Sequence, residues 1–401
     1  MSLSTGAALL PAERRAVALL AAIYATRLLG LFLLLPVLAL HAGSLPGGTP
    51  LLAGLAVGAY GLTQALMQIP FGTWSDRVGR KPMIVVGLIL HVAGSALGAV
   101  AAHASTLVAA RMVQGLGAVS GPVTALLADL TRSASRTRAM FAIGLCIGAS
   151  FVVSLVAGPW LAGAIGVPGV FALIGVSGIF ALGLVQFALP AGPAKRAAAG
   201  TGHSWRRVLT RRLAPHFAGV FVLHLTLTAT FIAVPHALRD LHGISIERHW
   251  LVYLVVFAAS IALTLPCVIW SERRAFRSRT VLVSGASLAA ALAALVVLHA
   301  ELSFFCAALV VYFGAFNFLE ARLPASLSER AAQDARGAAL GVFATCQFAG
   351  AFAGGALGGW LMSRVPLPWI FGACTIAVMA WLPLARTSEN ARMENREIPV
   401  P

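Results

Sequence analysis

A single acidic residue is set among basic ones in a short polar segment of the chain. The segment reads Gly72-Thr73-Trp74-Ser75-Asp76-Arg77-Val78-Gly79-Arg80-Lys81-Pro82. The carboxylate of Asp76 thus has three cationic neighbours, which are Arg77, Arg80 and Lys81. Gly72 and Gly79 allow a sharp backbone turn, and Pro82 suits the first turn of a helix that follows. These residue types predict a tight loop whose ion pairs act as a switchable latch.

Two long apolar runs, residues 51–71 and 83–102, flank this latch segment. At 1.5 Å per residue, each run as a helix is long enough to cross a hydrocarbon core of about 30 Å. The latch segment is therefore predicted to lie at a membrane surface, between two membrane spans.

The composition of the whole chain agrees with a membrane protein. Of 401 residues, 59% are hydrophobic and only 10% are charged, which is far from the composition of soluble domains. The net charge of +16 is scattered through short loops, which argues against a nucleic-acid surface. No ATP-binding loop and no nucleophile–base or metal constellation is visible, so we expect neither an enzyme nor a cofactor. The five cysteines lie in apolar runs and are interpreted as packing residues.

Windows of about 20 apolar residues predict twelve membrane spans. Their approximate bounds are 16–41, 51–71, 83–102, 107–128, 140–162, 169–189, 214–237, 249–270, 280–300, 302–322, 338–362 and 367–385. Most Lys and Arg residues fall in loops on the side shared by the N-terminus and the latch segment. The positive-inside rule then predicts that both termini are cytoplasmic.

An internal repeat predicts two halves of six spans each. Trp74-Ser75-Asp76-Arg77 is echoed by Trp270-Ser271-Glu272-Arg273, although the second copy lacks the glycines and is not expected to lock. The predicted organisation is a first bundle at 1–189, a cytoplasmic linker at 190–212, a second bundle at 213–385 and a disordered cytoplasmic tail at 386–401.

The pattern G-x-x-x-D-R-x-G-R-K in the latch segment resembles the signature loop of the major facilitator superfamily. The resemblance implies an all-α membrane fold of twelve transmembrane helices in two pseudo-symmetric six-helix bundles. It further implies that Asp76 faces the N-terminus of the eleventh helix, and that the arginines pair with an acid at the inner end of the fourth. Asp129 is the predicted partner of Arg77 or Arg80; the alternative is a surface acid near basic loops.

Two further motifs resemble those of proton antiporters in this superfamily. R-x-x-Q-G-x-G, from Arg111 to Gly117, resembles a fourth-helix motif associated with proton coupling. G-P-x-x-x-G, at Gly158, Pro159 and Gly163, resembles the fifth-helix motif of drug:proton exporters, with Ala162 where a second glycine is usual. These glycines, with Gly148 on the same span, are expected to let helices approach closely, while Pro159 bends the span.

Two charged residues within the spans are candidates for proton coupling, besides Arg111. Arg27 lies near mid-bilayer, where an arginine costs at least about 2.5 kcal/mol. It is expected to face a cavity, unless it belongs to a structural ion pair. Glu320 lies within the tenth span, where burial favours the neutral carboxyl group and lets it take up and release a proton. The alternative for Glu320 is permanent pairing with Arg322 or Arg27.

Neutral polar side chains within the spans are candidates for lining a substrate cavity. They are Gln64, Gln114, His224, Asn317 and Gln347.

The sequence therefore predicts a proton-coupled transporter that exports small lipophilic compounds by alternating access in a bacterial inner membrane. Its expected partners are a small-molecule substrate, protons and the lipid bilayer, with no nucleic acid; we expect a monomer driven by the proton gradient. Two alternatives stay open: a carrier of an organic anion that uses Arg27 and Arg111, and a membrane sensor without transport.

Overall fold

The protein is described by a computed structural model for residues 8–190, 208–271, 280–333 and 335–397, with side chains except at 137, 269–271 and 388–397. The described residues form helices and no strand. The α-helices are α1 (Pro11–Phe32), α2 (Leu35–Ser44), α3 (Pro50–Val78), α4 (Arg80–Ala99), α5 (Ala104–Leu116), α6 (Ser120–Asp129), α7 (Arg136–Gly183), α8 (Ala214–His236), α9 (His249–Ser271), α10 (Thr280–Val297), α11 (Leu302–Arg330), α12 (Arg336–Met362) and α13 (Pro368–Glu397). Short π-helical or 3₁₀ turns follow at Leu184–Ala188, Ala237–Leu241 and Ile246–Arg248.

In the described part of the chain, ten helical segments are long and apolar enough to cross a membrane. Two further spans come from breaks in the helices. The continuous α7 holds the predicted fifth and sixth spans, divided at Gly166, whose φ of +69° is not helical. The predicted fourth span consists of α5 and α6, each too short to cross by itself. The helices thus supply the twelve spans that the sequence predicts.

The latch segment is helical rather than a loop. Helix α3 continues to Val78 and α4 begins at Arg80, so Gly79 alone, with φ of +113°, makes the turn. The prediction that Gly72 helps to turn the chain was wrong, because Gly72 lies inside α3. Hydropathy marks where the lipid-facing surface ends, whereas a helix continues into water as long as its backbone hydrogen bonds are made. The predicted place of Pro82, in the first turn of α4, is confirmed.

The chain forms two compact units, which are Met1–Thr49 with Ala59–Gly202 (unit 1) and Pro50–Gly58 with His203–Pro401 (unit 2). The predicted linker at 190–212 lies largely outside the described residues, as does the second copy of the latch segment. Helix α13 continues to Glu397, within the segment predicted as a cytoplasmic tail.

In unit 1, glycines bring α4 against the junction of α5 and α6. A Cβ added at Gly117, just after α5, would lie 2.2 Å from the Gly87 carbonyl oxygen on α4. One added at Gly94 would lie 2.5 Å from the backbone nitrogen of Gln114. Any side chain at these positions would therefore force the helices apart. This packing holds the two short helices of the fourth span in place.

In unit 2, α12 packs on α8 in the same manner. A Cβ at Gly350 or Gly354 would lie 2.1 or 2.2 Å from a carbonyl oxygen of α8. These two glycines therefore allow the close packing of α12 on α8. The close contact fixes the spacing of the polar side chains that the two helices carry.

The antiporter-motif helix, the first half of α7, approaches a neighbour at one of its predicted glycines. A Cβ at Gly158, next to Pro159, would lie 2.3 Å from the Leu33 carbonyl oxygen, between α1 and α2. At Gly148 an added Cβ would meet nothing within 4 Å among the described residues, and Gly163 is exposed. The predicted close approach therefore holds at Gly158 and was wrong at Gly148, because Gly148 faces away from the neighbouring helices.

Candidate functional site

The latch segment forms a cluster at one end of unit 1, centred on Arg80. Its guanidinium pairs with Asp76 and donates to Ser75 Oγ at 2.8 Å, while its Nε lies 3.5 Å from Oδ2 of Asp129. One arginine at the start of α4 thus joins the end of α3 to the end of α6. The predicted pairing of Asp129 with a latch arginine is present, through Arg80, whereas Arg77 is exposed. The two acids are 31% and 37% exposed, so each contact contributes about 1 kcal/mol or less.

Lys81 extends this cluster to the end of α7. Its Nζ donates to the carbonyl oxygens of Gln186 and Leu189 at 3.2 and 3.0 Å. Carbonyl groups at a helix C-terminus lack partners within the helix, and a cation there also interacts favourably with the helix dipole. Lys81 therefore fastens the start of α4 to the end of the sixth span.

A second cluster at the same end of unit 1 is centred on Glu13, which the sequence analysis did not single out. The Glu13 carboxylate is almost fully buried and accepts hydrogen bonds from the backbone and side chain of Arg132, with Nε at 3.0 Å. It also accepts from Ser135 Oγ at 2.9 Å and from the Leu10 amide at 2.8 Å. This hydrogen-bonded carboxylate raises the pKa of Arg132 above its usual range. The motif Pro11-Ala12-Glu13 indicates a helix start, but Arg132 and Ser135, which also bond to Glu13, lie over a hundred residues away.

The buried interior of unit 1 holds two arginines that both contact one aromatic ring. The guanidinium carbon of Arg27 lies 5.7 Å from the Tyr60 ring centroid, and that of Arg111 lies 4.9 Å from it. Arg27 donates to Gln64 Oε1, and Arg111 donates to Gln114 Oε1 at 2.7 Å. We call Arg27 and Arg111 the arginine pair; Tyr60, Gln64 and Gln114 are its neighbours. The structure thus brings together four site residues that the sequence analysis could only name singly.

The arginine pair has no carboxylate partner among the described residues of unit 1. The acids of that unit are Glu13, Asp76 and Asp129, and all three bond at the latch end. Arg27 Nε and two nitrogens of Arg111 are buried without a hydrogen-bond partner. The positive charges are therefore balanced by neutral groups, through cation–π contacts and amide oxygens.

The interior of unit 2 holds an acidic cluster instead, built from three helices. Glu320 comes from α11, His224 from α8 and Gln347 from α12. The Gln347 amide nitrogen lies 2.8 Å from His224 Nε2 and 3.2 Å from Glu320 Oε1. Glu320 Oε2 is 3.7 Å from His224 Nε2, and the Glu320 side chain is 39% exposed. We call these three residues the polar triad.

The surroundings of the polar triad are apolar on one side and half-open on the other. The Phe316 ring packs edge-on against His224 with centroids 5.8 Å apart. The cavity candidate Asn317 is half-buried one turn before Glu320. Arg322, which the sequence analysis offered as a permanent partner of Glu320, forms an ion pair with Glu329 at 3.7 Å. Glu320 is thus a partly exposed carboxylate within a membrane span.

A protein-family model described as Major Facilitator Superfamily matches residues 20–224 and 216–397 of the chain. The chain belongs to the Major Facilitator Superfamily. It is 35% identical over 384 residues to the inner membrane transport protein YajR of Escherichia coli, covering 94% of this chain and 84% of that protein. It is 27% identical over 391 residues to the multidrug resistance protein MdtH of Yersinia pestis, covering 92% and 94%.

Solved structures of the Major Facilitator Superfamily have the same fold. A bacterial homolog of the human lysosomal transporter Spinster superposes with a TM-score of 0.76 at 14% identity, covering 98% of this chain and 100% of that one. The resemblance found in the sequence and the predicted fold, twelve transmembrane helices in two six-helix halves, are confirmed. The chain is a multi-pass membrane transporter.

Proposed function

We propose that this superfamily member is a proton-coupled antiporter that exports small lipophilic compounds across the inner membrane of a bacterium. The observation that carries the proposal is the polar triad, in which the half-exposed carboxylate of Glu320 lies within an apolar helix. Carboxylates within membrane spans commonly belong to proton relays, so Glu320 is suited to carry the coupling proton. The names of the relatives MdtH and YajR support multidrug export and an inner-membrane location.

In this proposal the chain itself supplies all the parts of an alternating-access cycle. Glu320 takes up a proton from outside and releases it inside, while substrate leaves in the opposite direction. The cluster around Arg80 stabilises unit 1 in the state in which the transporter is closed to the cytoplasm. Both termini are cytoplasmic, the monomer is the working unit, and the proton gradient is the energy source, without a cofactor.

The test is transport by the purified full chain in proteoliposomes with an imposed pH gradient. Lipophilic cations and organic anions are offered in turn, and uptake and internal pH are recorded. We expect a lipophilic compound to move when the gradient is applied, and Glu320→Gln to abolish this movement while gradient-free exchange of the same compound continues. Glu329→Gln is the matched control, because Glu329 lies on the same helix and pairs with Arg322 instead. If no compound moves and internal pH never responds, the chain is a sensor and the antiporter proposal fails.

The arginine pair favours a second candidate function, the transport of an organic anion. Two buried cations that have no carboxylate partner among the described residues of their unit are suited to bind an anionic group. Arg27→Gln separates the candidates. An anion carrier loses substrate binding, whereas an exporter of lipophilic compounds keeps binding and loses its response to the pH gradient.

A further inference from the structure

The two hydrogen bonds of His224 fix which of its ring nitrogens carries the proton in the neutral ring. Nδ1 lies 3.1 Å from the carbonyl oxygen of Val220, one turn earlier on α8. Because a carbonyl oxygen only accepts, Nδ1 is the protonated nitrogen. Nε2 therefore presents a lone pair, and the Gln347 amide nitrogen at 2.8 Å donates to it.

The same amide nitrogen also donates to the carboxylate of Glu320, at 3.2 Å from Oε1. An NH₂ group has two hydrogens, so Gln347 serves the imidazole and the carboxylate at once. Donation to both groups stabilises an unprotonated Nε2 and an ionised carboxylate. The observed arrangement is thus the proton-free state of the polar triad.

Protonation of His224 Nε2 changes which group of the Gln347 carboxamide can hydrogen-bond to it. Two donors would then face each other without an acceptor, so the carboxamide has to turn over and present its oxygen to His224. Glu320 Oε2 lies 3.7 Å from Nε2 and has no hydrogen-bond partner among the described residues. A small movement of the carboxyl group brings this oxygen into hydrogen-bond distance of Nε2.

Among the described residues, Glu320 is the charged side chain that forms an ion pair with His224. Helices α11, α12 and α13 pack against α8, and at the level of His224 they contribute Glu320, Gln347 and the ring of Phe316. The other titratable or charged side chains described on these four helices are His216, His236, Cys306, Tyr312, Arg322, Glu329, Arg330, Arg336, Cys346, Cys374 and Arg386.

We propose that His224, Gln347 and Glu320 form one proton-holding unit, in which His224 Nε2 holds the proton and the Gln347 carboxamide turns over when it does. The inference rests on the proposed proton coupling and adds a second proton carrier to it. A proton that reaches Oε2 of Glu320 moves to Nε2: the O–H bond breaks, the N–H bond forms, and an imidazolium–carboxylate pair results. Gln347 is a positioning residue, because it acts through the other two.

The proposal predicts opposite shifts of the transport pH profile in two variants. Proteoliposomes containing the full chain transport ethidium at a constant pH difference, while the absolute pH is varied. In His224→Gln only a carboxyl group remains to hold the proton, so the pH of half-maximal transport falls, because a carboxyl group binds a proton less tightly than an imidazole. Gln347→Leu removes two hydrogen bonds from the proton-free state and one from the protonated state. The pH of half-maximal transport therefore rises by up to about one unit.

His216→Gln is the matched control. His216 lies on the same helix and is hydrogen-bonded to Ser326 Oγ at 3.0 Å, away from the polar triad. Its variant is expected to keep the pH profile of the wild type. A variant that lowers transport merely by disturbing the fold changes the maximal rate without moving the half-maximal pH.

A second measurement reads the ring nitrogens directly. The full chain is labelled with ¹⁵N-histidine, and the NMR signal of His224 is the one that disappears in His224→Gln. If that variant does not accumulate, the signal that moves in Gln347→Leu identifies His224 instead. We expect Nδ1–H at high pH and both N–H groups at low pH. A wild-type chain that shows no coupling overturns both the proposed function and this inference. A coupled wild type overturns the inference alone if His224→Gln keeps the wild-type profile or if the neutral ring carries its proton on Nε2.

Discussion

The two units place opposite charges in their interiors although they are built from similar six-span repeats. Unit 1 holds Arg27 and Arg111 around Tyr60, with its acids all at the latch end. Unit 2 holds Glu320 with His224 and Gln347. The same helical packing by glycine contacts supports both interiors. The units thus differ in the charge of a few side chains within their spans, while helices in both units pack through glycine contacts.

The arginine pair differs from the polar triad in exposure as well as in charge. Arg27 and Arg111 are 3% and 0% exposed, whereas the Glu320 side chain is 39% exposed. A buried and permanently charged guanidinium cannot release its proton at neutral pH. The exposed carboxylate is therefore the group suited to exchange protons, and the arginines are suited to hold a fixed positive charge.

The largest expected effect comes from removing the fixed charge of Arg111. Arg111→Met should lower gradient-driven transport by roughly tenfold or more, the equivalent of one hydrogen bond to a charged group. The melting temperature should change little, because removal of a buried charge offsets the lost hydrogen bond to Gln114 and the lost contact with Tyr60. Transport in proteoliposomes and the melting temperature in detergent measure the two effects. A fall of the melting temperature by many degrees with unchanged transport would make Arg111 structural.

Giving the arginine pair an acid is expected to reduce the difference between the units. Gln64→Glu places a carboxylate at the position that already accepts from Arg27, and a hydrogen bond to a charged group contributes about 1.5–3 kcal/mol. We expect a higher melting temperature together with slower transport.

Gln68→Glu is the matched control for this acid. Gln68 bonds to Gln64 and Ser120 rather than to an arginine, so its variant buries a carboxylate without a direct cationic partner and should melt at a lower temperature. Equal shifts of the two variants would contradict the account.

The Glu13 cluster has no described counterpart in unit 2, and its loss is expected to have an intermediate effect. Glu13→Gln replaces an acceptor of several hydrogen bonds by a neutral amide and should cost about 1–3 kcal/mol of stability. Asp240→Asn, at an exposed pair with Arg239, should change stability by less than about 1 kcal/mol. Thermal unfolding of both variants in detergent checks the ranking, and a larger effect at Asp240 would contradict it.

The smallest effect is expected at the exposed latch cluster. Arg80→Ala breaks contacts with Asp76 and Asp129 and should cost about 1 kcal/mol, reduced further at high salt. Arg77→Ala should leave the melting temperature unchanged, since Arg77 is exposed. Melting curves at low and high salt separate the two, and a larger loss for Arg77→Ala would show that the wrong arginine was assigned.

The sequence predicted the features of the fold that depend on local pattern. Hydropathy located the twelve spans, and the positive φ of Gly79 follows from its place between two helices. The latch was predicted as a loop because apolar runs end near Phe71, although α3 continues to Val78. Hydropathy therefore shows where lipid contact ends, and does not show where the helix ends.

The sequence predicted the members of the candidate sites better than their contacts. Glu320, His224 and Gln347 were each singled out as polar residues within spans, but their meeting depends on the packing of three helices distant in sequence. The stacking of two arginines on Tyr60 depends on packing in the same manner. Glu13 was missed since its position near the N-terminus resembles an ordinary helix start, while its partner Arg132 follows the fourth span.

The central claim is that proton exchange takes place in unit 2. Its most direct test is the internal pH of proteoliposomes when a transported lipophilic compound is added without an imposed gradient. In the wild type, movement of the compound should drive protons the opposite way and change the internal pH. Glu320→Gln should abolish this pH change while exchange of the compound continues. An unchanged pH response in Glu320→Gln would contradict the account, because the proton would then be carried without the Glu320 carboxylate.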